Sequence, residues 1–251
     1  EFGIYEDIRI HATKKIPFHI VYLTASNINE TNNKIRENET MSALKRLGVD
    51  RRQISFIGKE LSIPDLALKD HLINAFIRCK SLIKKMGNVR KIYTHAYEGG
   101  HPDHDALNFL CSKLILTSKT KIDCWQFPLY CGPGLIGPLF FLFKPLKRNG
   151  KVKKNKIKIA NIRLYLKLIF IYKSQLKTFL GLYPFYFIHM IFFKNYIIQQ
   201  LNPKKKYFRP HKGKLLYERR RMDKFEDLKL RMNKFEIWLK KFSKHNSRKK
   251  V

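Results

Sequence analysis

Tyr93-Thr-His-Ala-Tyr-Glu-Gly-Gly-His-Pro-Asp-His-Asp-Ala106 packs three histidines, two aspartates, a glutamate and a Gly-Gly pair into one short segment. Just before and into it, Lys91-Ile-Tyr-Thr94 is β-branched and aromatic and reads as a strand. At its far end, residues 103–117 carry apolar side chains at helical spacing. Gly99-Gly100 permits a tight turn that other residues resist. Pro102 suits the first turn of a helix, with Asp103 and Asp105 near its positive end. A strand, a glycine turn and a helix in that order make half of a βαβ unit. In such sheets the chemistry gathers beyond the carboxyl ends of the strands.

That placement assigns provisional work to the polar residues. His104 points from the first helical turn back toward the strand ends, where a Zn²⁺ ligand is useful. His101, just outside the helix, suits an acid–base group or an oxyanion donor. Asp103 is placed to orient an imidazole. The competing reading is a capped helix that carries ordinary surface histidines.

Outward from this segment the alternation continues. Residues 18–24 read as a buried strand, 25–33 as a polar loop, and 34–48 as a helix stopped by Gly48. Ile54–Gly58 reads as a second strand, 65–86 as a helix stopped by Gly87, and Ile122–Phe127 as a fourth strand. The pattern predicts an α/β fold, a three-layer α/β/α arrangement with a mainly parallel sheet, over residues 1–150.

Beyond about residue 130 the pattern changes. Cys131–Pro138 is rich in glycine and proline, and residues 157–182 are apolar and helical. Pro184 precedes a second apolar stretch, 185–201. Lysines 167, 173 and 177 interrupt the first stretch, so no run reaches the roughly 18–20 residues of a membrane span. From Tyr217 a basic amphipathic helix carries an imperfect ten-residue repeat, Arg221–Leu230 and Arg231–Lys240. Its stripe of Met222, Phe225, Leu228, Met232, Phe235, Leu239 and Phe242 suits docking on its own domain. Residues 151–251 are thus expected to form a basic, aromatic-rich helical extension packed on the first domain.

The formal net charge is +33, of which +24 falls on residues 151–251. Such a surplus attracts polyanions, although lysine-rich decoration of a surface gives the same count. An anionic membrane surface is the partner expected for residues 151–251; nucleic acid is disfavoured, because no recognition motif accompanies the charge. The four cysteines have no CxxC spacing and read as reduced core residues, which suits a cytoplasmic protein lying against a membrane.

Thr94-His-Ala-Tyr-Glu-Gly-Gly-His-Pro-Asp-His-Asp-Ala106 resembles the second signature of the LmbE/PIG-L family of zinc-dependent N-deacetylases. The resemblance extends to Ile20-Val-Tyr-Leu-Thr24 and to the Arg36, Glu39, Ala43, Leu47-Gly-Val49 pattern, and more weakly to Ile63-Pro-Asp65 and Tyr172-Lys-Ser-Gln175. It implies a Rossmann-like hydrolase that removes an acetyl group from an N-acetylglucosamine-containing substrate, including a lipid-linked one such as GlcNAc-phosphatidylinositol. It implies Zn²⁺ on His104 and a protonated His101 as oxyanion donor. Asp103 would support the catalytic histidines, and Arg36, Asp65, His95 and Glu98 would line the amino-sugar pocket. The family's first signature, His-Pro-Asp-Asp-Glu, supplies two further zinc ligands and the general base, and here only Glu1 matches its end. The resemblance therefore implies a chain that lacks that strand and is inactive by itself. The alternative is a basic membrane-surface or nucleic-acid-binding protein on a degenerate deacetylase-like scaffold.

Overall fold

Strands and helices alternate through the first half of the chain, as the apolar periodicity predicts. The computed structural model describes residues 1–26 and 30–248. A short 3-10 turn leads into α1 (Tyr5–Thr13), followed by β1 (Ile20–Tyr22), α2 (Glu30–Arg46), β2 (Ile54–Phe56) and the one-turn α3 (Ile57–Glu60). Next come α4 (Leu72–Met86), β3 (Lys91–His95), α5 (Pro102–Leu116) and β4 (Asp123–Phe127). Gly48 and Gly87, both at positive φ, follow α2 and α4. Part of the loop expected at 25–33 lies outside the described residues. The helix expected from 65 starts later, because Leu66 sits at φ +71 and residues 68–71 form a 3-10 turn.

The sheet differs from the expected one. β1 pairs with β2 in parallel, and β3 pairs with β4 in parallel, but the two pairs are not hydrogen-bonded into a single sheet. β4 instead continues antiparallel to β8 (Asn195–Gln200), and β8 to β7 (Val152–Lys156), in the order β3-β4-β8-β7. Between β4 and β7 lies a short antiparallel ribbon, β5 (Tyr130–Cys131) with β6 (Phe141–Leu142).

The purely helical extension expected for 151–251 is corrected accordingly. It contains α6 (Ile159–Leu168), α7 (Leu176–Ile188), the one-turn α8 (Leu216–Arg219) and α9 (Phe225–Arg248), but also two strands of the main sheet. β8 forms because Tyr196-Ile-Ile198 is β-branched and aromatic, and Lys194 ahead of it takes a left-handed φ of 47° that ends the preceding helical run. Among the described residues no helix is long and apolar enough to cross a membrane.

Strand alternation sends side chains to two faces. Phe127, Tyr196 and Ile198 pack with Tyr5, Ile8, Leu44, Tyr165 and Tyr186. Cys124 lies on the other face with Cys111 of α5. A second large cluster joins α4, α5 and α9 through Phe76, Phe109, Leu228 and Phe235. All four cysteines are free and buried. The early and late halves thus share one sheet and one core.

The Gly-Gly turn after β3 is sterically required. A Cβ on Gly100 would lie 2.0 Å from the Tyr130 carbonyl oxygen, and Gly99 sits at φ +74. Gly134 shares a positive φ of 76° but faces open space. Gly100→Ala is expected to cost at least about 1–3 kcal/mol as overpacking against backbone, lowering Tm by roughly 2–4 °C per kcal/mol. Gly134→Ala should cost only about 1–2 kcal/mol of left-handed strain. Thermal melts of the two variants test the ranking, and equal losses would contradict it.

Candidate active site

The first turn of α5 carries four polar side chains that diverge by helix geometry. Residues two apart are rotated by about 200°, so Asp103 and Asp105 reach opposite ways. Asp103 accepts the backbone N–H groups of Leu66 (2.7 Å) and Leu68 (3.0 Å), which holds the turn bearing Asp65. Asp105 accepts those of Glu98 (2.9 Å) and Gly99 (3.2 Å), which holds the turn after β3. Burial raises both carboxyls to about 7; the nearby Asp65 charge adds to the shift of Asp103, and the backbone donors oppose both shifts.

His101 and His104 lie three residues apart, on one side of the helix start. His101 is the N-cap, and its Nδ1 accepts the Asp103 N–H at 3.3 Å. An accepting Nδ1 carries no proton, so the ring proton sits on Nε2. Burial, with Arg220 nearby, lowers the pKa of His101, while Asp65 and Asp223 oppose it. The protonated His101 expected from the resemblance is therefore replaced by a neutral ring that donates through Nε2.

His104 stacks face to face on His95, with centroids 3.7 Å apart and planes 3° from parallel. Burial holds both rings well below the usual histidine range, and their mutual proximity to His101 adds to this. Nδ1 of each is buried without a protein partner. Nitrogen lone pairs lie in the ring plane, and these two planes run parallel up to 3.7 Å apart. One ion at about 2.0–2.1 Å from each nitrogen cannot lie in both planes, so His95 and His104 do not share a metal.

These groups open into a cavity of about 490 Å³ lined at one end by Arg36, Asp65 and the three histidines, and elsewhere by Phe140, Phe179 and Leu182. Arg36 and Asp65 form a half-exposed ion pair at 3.9 Å. Six of the seven residues singled out in the sequence thus meet here, with Asp103 beneath the lining. Asp65, His101 and Asp103 each offer one donor atom, all within 4.8 Å of one another. The expected support of an imidazole by the Asp103 carboxylate is corrected: its oxygens take backbone N–H groups, and only its own N–H touches His101.

Glu98 is the second correction. It is buried and absent from the cavity lining; its Oε1 accepts the N–H groups of Leu129 and Tyr130, both at 2.9 Å. These bonds seat the strand after β4. Sequence reading passed over Arg220 and placed Met222 in the docking stripe of the last helix; both come from the far end of the chain to line the cavity. Arg220 lies over Phe140, 5.4 Å from the ring centroid. Its position in the run Glu218-Arg-Arg-Arg221 disguised it as surface charge. Glu1 also lines the cavity and accepts the Tyr172 hydroxyl. Glu39 accepts the Ser174 N–H (2.8 Å) and hydroxyl (2.6 Å), which ties the 172–175 segment to α2.

Burial, opposed by the two backbone donors, raises Glu98 to about 8, so the folded protein keeps it protonated at neutral pH. A carboxyl with a raised folded pKa contributes stability that is full below its unfolded pKa of about 4.3 and is lost as pH rises toward the folded value. Glu98→Gln keeps an acceptor for Leu129 and Tyr130 but cannot ionise. Its Tm relative to the parent is expected to rise steadily from pH 5 to about 8 and then level off. Denaturation across that range tests this; a constant difference would show that Glu98 is ionised in the folded protein.

Comparisons with known proteins now bear on this geometry. No curated protein and no solved structure matches the chain. Residues 1–115, which include every cavity residue contributed by β1, α2, β3 and the start of α5, match the family model described as PIG-L: GlcNAc-PI de-N-acetylase. The match covers just under half of the chain and contains the whole of the Thr94–Ala106 segment.

Proposed function

We propose that the protein is a metal-dependent hydrolase that removes the N-acetyl group from an N-acetylglucosamine-containing substrate. The observation that carries this reading is the neutral His95–His104 stack with unpartnered ring nitrogens, in one cavity with His101, Arg36 and Asp65. The family description names a GlcNAc-PI substrate, which makes a lipid-linked amino sugar the first class to test.

The residues fit a divalent ion, with zinc the first candidate. His104 presents an orphaned buried nitrogen on a ring that burial keeps in its ligating, neutral form. The Asp65–His101–Asp103 group is a second donor set, in which two neighbouring carboxylates favour a cation. His104 is the proposed ligand, and His95 is a wall of the pocket. A bound ion would supply Lewis-acid polarisation of the acetamide carbonyl and a water whose pKa is brought toward neutrality.

The remaining chemistry belongs to the chain itself. His101, with its proton fixed on Nε2 by the cap bond, donates to the oxygen that gains charge as the amide carbon becomes tetrahedral. Asp103 positions both partners: its N–H sets the tautomer of His101, and its carboxylate seats the turn carrying Asp65. Arg36 and Asp65, paired loosely and half exposed, exchange their mutual contact for sugar hydroxyls. Phe140, Phe179 and Leu182 offer an apolar wall to the group attached to the sugar.

Zinc titration and activity should separate the histidines. The chain as it stands is expected to bind zinc weakly, because His104 provides one of the about three protein ligands of a catalytic site. His104→Ala should abolish that binding. His101→Ala should leave it, while lowering the deacetylation rate of active protein by about 10²–10³. Zinc binding that survives His104→Ala but is lost in Asp65→Asn would move the metal to the Asp–His–Asp group and overturn the assignment of His104.

A further inference from the structure

Beyond Lys177 and Thr178, α7 and the π turn that follows it, His189–Phe193, are dominated by apolar and aromatic side chains, yet only one side meets the protein. Phe179, Leu182, Tyr186 and Met190 recur at helical spacing on the buried side. The outer side exposes Leu180, Phe187, Ile188 and Ile191, and the turn ends in Phe192 and Phe193, which are 74% and 61% exposed. A helix of this kind normally lies in a core or in lipid. Here it has an unpartnered apolar face.

The charge around that face selects its partner. From Cys124 through Tyr217 the sequence contains nineteen lysines and arginines and not one aspartate or glutamate. Lys173 lies exposed in the turn just before α7, Lys177 in its first turn, and Lys194 just past the π turn. An acidic side chain at the start of the strip, Glu39, is engaged by Ser174, and an apolar strip bordered mainly by cations is complementary to a lipid surface with anionic headgroups. The same helix supplies Phe179, Gly181 and Leu182 to the cavity wall, so the strip adjoins the candidate active site.

We infer that the outer face of α7 and its π turn is a membrane-docking surface, which lies in the interface of an anionic bilayer with Phe192 and Phe193 inserted and the flanking lysines on the headgroups. The inference does not depend on the deacetylase reading. Each basic residue near such a surface contributes about fivefold in partitioning, a share that salt screens over about 8 Å, whereas the aromatic share persists in salt.

Co-sedimentation of the chain with phosphatidylcholine vesicles, with and without phosphatidylserine, across a salt series tests the inference. At low salt, binding to the anionic vesicles is expected to exceed binding to the neutral ones at least tenfold, with a residual fraction at high salt. The exposed-site variant Leu180→Ser/Phe192→Ser/Phe193→Ser should lose the salt-resistant fraction, and Lys173→Glu/Lys177→Glu/Lys194→Glu should lose the anionic preference. Circular dichroism and thermal melts confirm that both variants remain folded. Unchanged vesicle binding in both variants, or no preference for anionic vesicles at low salt, would overturn the inference. So would finding that the serine substitutions abolish self-association instead, which would assign the face to a second copy.

Discussion

Two buried carboxylates at the start of α5 hold the site together. Asp103 and Asp105 project to opposite sides of one helical turn, and each accepts backbone N–H groups from a different loop. The turn after β2, with Asp65, and the turn after β3, with Gly99, are thereby fixed to the same helix end. Leu66 holds a left-handed backbone conformation in the first of these loops, a strain that the hydrogen bonds from its own N–H and that of Leu68 to Asp103 offset. His104 lies between the two carboxylates in sequence and His101 two residues before the first of them, so the placement of both follows from the loops that the carboxylates hold. The burial that raises both carboxyl pKa values is the cost of fixing two loops from within.

Behind this turn a buried polar network connects the late part of the chain to the early part. Asn108 donates to the His95 carbonyl (2.7 Å) and to Gln126 (3.0 Å), and accepts the Tyr207 hydroxyl (3.0 Å). Gln126 donates to the Asn149 carbonyl, and Asn149 donates to the Tyr97 carbonyl. Lys205 lies over the rings of Tyr97 and Tyr207, with burial lowering its pKa to about 8. Satisfied networks of this kind specify one arrangement, because breaking any member leaves a buried polar group unpaired. Together with β8 they make residues beyond 150 part of the scaffold that shapes the site.

The parts of this architecture legible in sequence are those written in local pattern. β3, α5, β4 and the Gly-Gly turn follow from apolar period and steric need, and the cavity residues from 36 to 104 cluster around them. What escaped was non-local. Val152-Lys-Lys-Asn-Lys156 carries no apolar alternation that would announce a strand, yet lysines suit an edge strand, whose outer edge they keep from pairing with other chains. Tyr196–Ile198 merged into the apolar run before it, because only the left-handed Lys194 marks the break. Glu98 and Asp103 look like site carboxylates in sequence. Whether a carboxylate faces substrate or backbone N–H groups depends on loops far away in the chain, which no spacing reports. Arg220 was hidden for the same reason.

The residue that opens α5 shows how structural and chemical demands compete at one position. Serine, aspartate and asparagine are the strong N-caps, and histidine is not among them. The His101 cap bond, at 3.3 Å, is longer than the 2.7–3.2 Å bonds that the aspartates make nearby. A helix selected only for stability would carry a shorter side chain here. The imidazole instead uses one nitrogen for a weak cap, and that bond leaves the proton on the other. A serine or aspartate cap would satisfy the same N–H but present no second polar atom on a rigid ring. The cap therefore sets the tautomer, and the tautomer sets which chemistry the ring can perform: donation from a neutral Nε2–H beside the His104 ring, without the desolvation penalty that a buried imidazolium would carry.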